Sequence, residues 1–274
     1  MKTYTKKVND GEMVIYEEVL NGIADKYNPS FSILVLPKAI EVNKKSSLLV
    51  LPYYEGDTFN EKWTEATGGS LLGLDLSAEI PEVLYELSQI DVLALLGGNV
   101  RLQEIPKLIF NSQEYLLEFE VATKRFFDAG LLERSEIDQA KDSIKKGFAS
   151  PLLFNNGDFY PRNFIRLPDR RLVLIDWETW NPNSRAYLID HPENIAALCF
   201  VHMWNNEPWQ KNYVKELLQR FSMRPEDFQR AVLIKSLDLA DFWFKEDGKN
   251  SRCQSQLSIF KNTLNPEYIS KLFK

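Results

Sequence analysis

Residues 155–180 read NNGDFYPRNFIRLPDRRLVLIDWETW. Three short polar side chains in this stretch have types and spacing that could do chemistry together. Asp158 lies five residues before Asn163, and Asp176 lies thirteen residues after it. Two carboxylates and an amide are hard oxygen donors. Such a set suits Mg²⁺, which keeps several waters and shares its remaining positions with phosphate oxygens. A carboxylate beside that centre is also placed to take the proton of an attacking hydroxyl. One Asp here would be read as a turn residue; three groups in this order call for a common cause.

The surrounding elements supply a way to bring them together. PLLF (151–154) and RLVLI (171–175) read as short buried strands. FIRL, the polar turn PDRR and RLVLI form a hairpin, with Asp158 and Asn163 on the loop before it and Asp176 at its far end. The two ends of a hairpin face one point in space, so the acids and the amide converge there.

Elsewhere the pattern changes along the chain. Tyr16, Leu20, Ile23 and Tyr27 recur at helical spacing within residues 11–27. SILVL (32–36) reads as a strand stopped by Pro37, and AIEV, NKKSS and LLVLPYY read as a hairpin. After residue 55 strand signals fade. Residues 79–95, 113–129 and 135–148 read as amphipathic helices, with a helix start near Ser77 and Pro81. From Pro192 onward the chain is again helical, and Pro208, Pro225 and Pro266 mark helix starts. The expected class is α+β: a small first lobe over residues 1–55 and a mainly helical lobe over 56–274.

Composition narrows the function classes. Of 274 residues, 44% are hydrophobic and 26% charged, which is enough apolar content for a sizeable core. A net charge of −6 argues against a nucleic-acid surface. Cys199 and Cys253 form no C-x-x-C pair, and His191 and His202 have no ligand partners in sequence, so neither a disulfide framework nor a zinc site is expected. No apolar run reaches the length of a membrane span, and the N-terminus lacks the apolar core of a signal peptide. The chain reads as soluble and cytoplasmic, with no membrane partner.

With those residues in view, the segment resembles the core motif of the aminoglycoside phosphotransferase and choline kinase-like family. That family carries H-G-D-x-x-x-x-N followed by [LIV]-I-D-[WF]-E; this chain has N-G-D-F-Y-P-R-N and L-I-D-W-E, with Asn156 in place of the histidine. LLVLPYYEGDTF resembles the family's strand, interlobe hinge and following glycine, and YLIDHPENIAAL loosely resembles its D-P-x-x-D-L-A segment. The resemblance implies a two-lobed protein kinase-like fold with a hinge near residues 52–56. It implies a phosphotransferase that moves the γ-phosphate of ATP or GTP to a hydroxyl of a small molecule, with Mg²⁺ as cofactor. Asp158 would act on the acceptor hydroxyl. Asn163 and Asp176 would hold the metal and the nucleotide phosphates, and Pro52, Tyr53 and Tyr54 would face the adenine. Glu178 would reach a substrate amine or stand exposed. Trp177 would pack beneath the metal loop, and Trp180, Tyr187, Trp204 and Trp209 would form either core or an ammonium cage.

The first lobe departs from that pattern. About ten residues precede the first helix, and no glycine-rich loop is present. The strand lysine implied by the resemblance is Lys6 or Lys7, and its helix partner Glu17 or Glu18; we take Lys7 with Glu18. Three readings of the short lobe stand open: a start further upstream, a minimal nucleotide site, or a catalytically silent kinase-like binding module.

Overall fold

The protein is described here from a computed structural model. The described residues are 2–59, 71–98, 108–177, 187–221 and 223–273. The chain packs as two compact units. One comprises residues 1–67, 82–109 and 152–190; the other comprises 68–81, 110–151 and 191–274. Neither is a continuous stretch. The loop and hairpin of 155–176 therefore pack with the first residues of the chain, across the division expected near residue 55.

In the first unit, β1 (Thr3–Lys7), β3 (Glu41–Asn43) and β4 (Leu48–Pro52) form an antiparallel sheet in the order β1-β4-β3. The expected hairpin of 39–54 is β3 and β4, with Glu41 opposite Val50. The first helix covers residues 10–27 in three segments: Asp10–Val14, a π-helical Ile15–Leu20, and Asn21–Tyr27. Asn9 caps it, its side chain accepting from the Glu12 amide at 2.8 Å. Tyr16, Val19, Leu20 and Ile23 are all buried, so the 3.6-residue period faces the core.

A second sheet carries the hairpin. β7 (Phe164–Arg166) and β8 (Leu172–Leu174) are antiparallel, with Phe164 opposite Leu174. β2 (Leu34–Val35) lies parallel to β8, and β5 (Asp57–Thr58) antiparallel to β7. Gly56 is required where β5 meets β7: a Cβ there would sit 2.2 Å from the Arg166 carbonyl oxygen. PLLF is not part of this sheet; β6 (Leu153–Phe154) pairs with β9 (Ile189–Asp190). β2 is fixed by Glu86, whose carboxylate accepts from the amides of Ser32, Ile33 and Leu34 and from the Ser32 hydroxyl.

The helix start expected at Ser77 is not found. One helix, Leu71–Leu87, runs through it with Pro81 inside. Ser77 is fully buried, and its hydroxyl accepts from the Asn212 amide at 2.6 Å rather than capping. Tertiary packing outweighs the missing Pro81 donor. This helix also ends at Leu87 and not at residue 95; a further short helix, Val92–Gly98, follows a turn.

The second unit is built on Pro225–Asp247, which packs along Ser251–Thr263 and Pro192–His202. Asp241, almost fully buried on it, is ion-paired with Arg125, and the Tyr115 hydroxyl donates to Asp238 and to the Ile234 carbonyl. Pro192 and Pro225 stand at the first positions of their helices. Among the described residues, no helix is long and apolar enough to cross a membrane.

Glu86→Ala leaves three backbone amides near β2 without their acceptor. Its unfolding free energy is expected to fall by about 3 kcal/mol in urea denaturation, with Glu86→Gln in between.

Candidate active site

Hairpin geometry sets the site. Because β7 and β8 are antiparallel, the residue before β7 and the residue after β8 are neighbours, and the Ile175 amide donates to the Asn163 carbonyl at 2.9 Å. That bond joins the loop carrying Asp158 and Asn163 to the strand end carrying Asp176. The Asn163 side-chain amide closes the loop on itself, donating to the Asp158 carbonyl at 2.7 Å and to Asp158 Oδ2 at 2.9 Å. With its nitrogen so engaged, Asn163 has its oxygen as the remaining donor atom. Asp176 adopts a left-handed φ of 61°, rare for a residue other than glycine, and its side chain is 38% exposed. Backbone strain of this kind is kept where the surroundings over-determine it.

Two consecutive amides hold the loop. Asn155 donates to the carbonyls of Tyr187 and Leu188, both at 3.1 Å, and accepts from the Gly157 amide. Asn156, fully buried, donates to the Ile175 carbonyl at 2.9 Å and to the Asp158 carbonyl at 3.3 Å. One amide thus spans both arms of the site, from the place where the resembling family has histidine. Trp177 is packing, as expected: fully buried, stacked on Phe154 at 5.2 Å, its indole donating to the Leu174 carbonyl at 2.8 Å.

The cation of the site is Lys6. Its ammonium lies 3.2 Å from Glu12 Oε1 and 3.5 Å from Asp176 Oδ1. This corrects both members of the expected pair. Lys7 points to the opposite face of β1 because side chains alternate along a strand, and it is exposed. Glu17 extends instead to Lys44 at 2.8 Å. Glu18 lies six residues beyond Glu12, more than a turn away from the end of the helix that faces β1. Glu12 was missed, although a signal for it existed. It shares a helix face with Tyr16, Val19 and Ile23, so its burial follows from the period already seen. A carboxylate only 3% exposed needs a counter-charge, and Lys6 supplies it.

Asp158 is the group with altered acidity. Burial, chiefly, pushes its pKa from 3.8 to about 6, and the charge of Asp176 adds to this; the Asn163 hydrogen bond and Arg162 oppose it. A carboxylate poised near neutrality is suited to proton exchange with a hydroxyl. The side-chain oxygens of Asn163 and Asp176 are hard donors, and the chemistry of that set fits Mg²⁺. Among the described residues no cluster of three or more His, Cys, Asp or Glu side chains offers an alternative metal site.

Pro52, Tyr53 and Tyr54 divide by role. The Tyr53 amide is used within the sheet, donating to the Lys2 carbonyl at 3.0 Å, and Lys2 lies over its ring. By strand alternation the Pro52 carbonyl points away from β1. The Tyr54 amide has no partner among the described residues. Glu178 and Trp180 lie outside the described residues. Tyr187 and Trp209 are core, Trp209 being stacked on Tyr213 at 4.7 Å, whereas Trp204 is 40% exposed.

With the geometry established, comparison with solved structures decides the fold. The chain matches choline kinase LicA from Streptococcus pneumoniae with a TM-score of 0.53 at 14% identity, covering 98% of this chain and 86% of that one. A choline/ethanolamine kinase family protein from Mesorhizobium loti matches with 0.56 at 10% identity, covering 99% and 86%. The GDP complex of aminoglycoside 2'-phosphotransferase-IIIa matches with 0.58 at 13% identity, covering 93% and 83%. The fold is protein kinase-like. No family model matches the sequence, and no curated protein matches it.

The raised Asp158 acidity has a defined sign. The folded protein holds the Asp158 proton more tightly than the unfolded chain does. The associated stability is therefore complete below about pH 4 and is lost as pH rises through about 6. In EDTA, Asp158→Asn is expected to be about 3 kcal/mol more stable than wild type at pH 8 and level with it below pH 4, as read by urea denaturation.

Proposed function

We propose that the protein is a Mg²⁺-dependent phosphotransferase that moves the γ-phosphate of ATP or GTP to a hydroxyl of a small molecule. The observation that carries this reading is the joining of the Asp158–Asn163 loop to the Asp176 strand end, with the Lys6–Glu12 pair alongside. These are the parts that phosphoryl transfer asks of a protein: a group for the attacking hydroxyl, oxygen ligands for the metal, and a cation for the phosphates. When bound, Mg²⁺ neutralises charge on the phosphates and fixes their geometry.

Each residue then has a task. Asp158 orients the acceptor hydroxyl and takes its proton. Asn163 and Asp176 present oxygens to the metal, and Asn163 also restrains Asp158 through its amide. Lys6, held by Glu12, is directed at the phosphates beside Asp176. The Pro52 carbonyl and the Tyr54 amide are the backbone groups offered to the base. Solved relatives in fold are named as choline kinases or as aminoglycoside phosphotransferases, one of them bound to GDP, which supports a nucleotide donor and a small hydroxylated acceptor.

A second reading is a catalytically silent kinase-like binding module. It is favoured by β1 standing at the edge of its sheet, with no glycine-rich loop among the described residues.

Turnover of MgATP and MgGTP over a panel of hydroxylated and amine-bearing metabolites separates the two. The enzyme reading expects turnover with at least one acceptor, loss of it in EDTA, and a decrease of at least about 100-fold in Asp158→Asn. Undiminished turnover in Asp158→Asn refutes its role as base; no turnover together with no nucleotide binding leaves the silent module. Asp176→Asn is expected to fold like wild type in circular dichroism while losing Mg²⁺-dependent nucleotide binding in calorimetry.

A further inference from the structure

β1 has β4 on one side and, among the described residues, no strand on the other. Strand alternation fixes which backbone groups face the open side. The Tyr53 amide donates to the Lys2 carbonyl and the Val8 amide to the Ser47 carbonyl, and both pairs continue the β1–β4 register. Lys2, Tyr4, Lys6 and Val8 therefore turn their amides and carbonyls toward β4, whereas Thr3, Thr5 and Lys7 turn theirs outward. These outward groups have no hydrogen-bond partner among the described residues. Thr3, Tyr4, Thr5 and Lys7 are exposed, Tyr4 at 41% although it is aromatic. An open strand edge of this kind is a template for another strand.

The residues of the strand select what pairs with it. Lysines guard an edge against indiscriminate pairing, because like charges set directly opposite each other are unfavourable. Two copies of TYTKK related by a twofold axis can run antiparallel and join their outward groups with the axis at Tyr4, Thr5 or Lys6. With the axis at Tyr4, Lys2 stands opposite the partner's Lys6. With it at Lys6, the two Lys6 side chains meet. With it at Thr5, the two threonines face each other, Thr3 faces the partner's Lys7, and Tyr4 faces the partner's Lys6. Of the three, only this register pairs the whole strand and sets no lysine opposite a lysine. It also brings an ammonium beside an aromatic ring on each side of the axis, a favourable contact. Lys6 is already balanced by Glu12 within its own copy.

We propose that β1 pairs with β1 of a second copy of this chain, antiparallel and centred on Thr5, so that the two three-stranded sheets become one in the order β3-β4-β1-β1-β4-β3. The contact is isologous and closes on itself, so pairing stops at two copies. The partner's Tyr4 then lies beside Lys6. The second copy thus contributes a side chain next to the site and covers the strand edge that this chain leaves open.

Sedimentation velocity of wild type and Thr5→Pro over a concentration series tests it. Proline removes the outward Thr5 amide and no bond to β4, a change that an edge strand tolerates. The expected result is a concentration-dependent dimer in wild type. In Thr5→Pro, which lacks the two hydrogen bonds at the axis, the dimer dissociation constant is expected to rise about tenfold or more. Cysteine crosslinking reads the register without that substitution. Thr5→Cys brings two Cα atoms to about 5.5 Å, within disulfide reach. Thr3→Cys, also exposed, leaves them about 15 Å apart. The native Cys199 and Cys253 are buried. Mild oxidation is expected to link Thr5→Cys into dimers and to leave Thr3→Cys unlinked. A wild type that stays monomeric throughout overturns the proposal and leaves the edge to a different strand. A dimer indifferent to Thr5→Pro, or linked as readily through Thr3→Cys, uses another surface or register and overturns it too. None of these readouts requires turnover, so the dimer and the phosphotransferase reading stand or fall separately.

Discussion

The hydrogen bond from the Ile175 amide to the Asn163 carbonyl is one rung past the β7–β8 ladder, and the site depends on it. An antiparallel hairpin returns the chain to its own starting point. A loop entering such a hairpin is therefore always beside the residue leaving it. Asp158, Asn163 and Asp176 span 19 positions in sequence, yet no long-range search is needed to assemble them. The entropy of closing so short a connection is small, and the apolar runs FIRL and LVLI fix the register by burying one face. Polar groups can then be displayed at the hairpin end without weakening its core.

What surrounds that rung is a set of compensations. Asp176 sits in a left-handed conformation, and Asp158 is buried enough to favour its neutral form. Both are unfavourable alone. Asn156 and Asn163 supply amide donors to the Ile175 and Asp158 carbonyls and to the Asp158 carboxylate, while Asn155 ties the loop to the Tyr187 and Leu188 carbonyls. Three asparagines serve better here than charged groups: an amide donates and accepts without adding a charge that would need its own partner. The same logic applies to Asn156. The task at that position is to donate to the Ile175 and Asp158 carbonyls, and an amide does so at any pH.

Lys6 shows a different economy. It balances Glu12, a carboxylate almost removed from water, and lies beside Asp176, which is not. A buried ion pair adds little net stability because desolvation cancels most of its attraction. Its value is positional. Glu12 cannot move without leaving a charge unpaired, so the lysine is held where the hairpin end needs a cation.

Read in order, the residues explain which parts were legible. Asp158, Asn163 and Asp176 belong to one local hairpin, so their spacing alone brought them together, as did the β3–β4 hairpin and the apolar face of the first helix. The choice between Lys6 and Lys7 was not legible, because adjacent strand residues differ only in which face of the sheet is covered, and β4, the helix of 10–27 and the hairpin decide that jointly. Glu12 could have been chosen over Glu17 and Glu18 from the helical period, but only the packed helix shows that this face meets β1. Ser77 misled for the same reason: a serine near a proline looks like a helix start until Asn212 is found on its hydroxyl. The pairing of β6 with β9, and of β2 and β5 with the hairpin, joins segments tens of residues apart. Local sequence determined the hairpins, the helix faces and the three polar groups, because their causes lie within a few residues; tertiary structure decided the partner of every charge and the sheet of every lone strand, because those depend on surfaces that exist only once distant segments have packed.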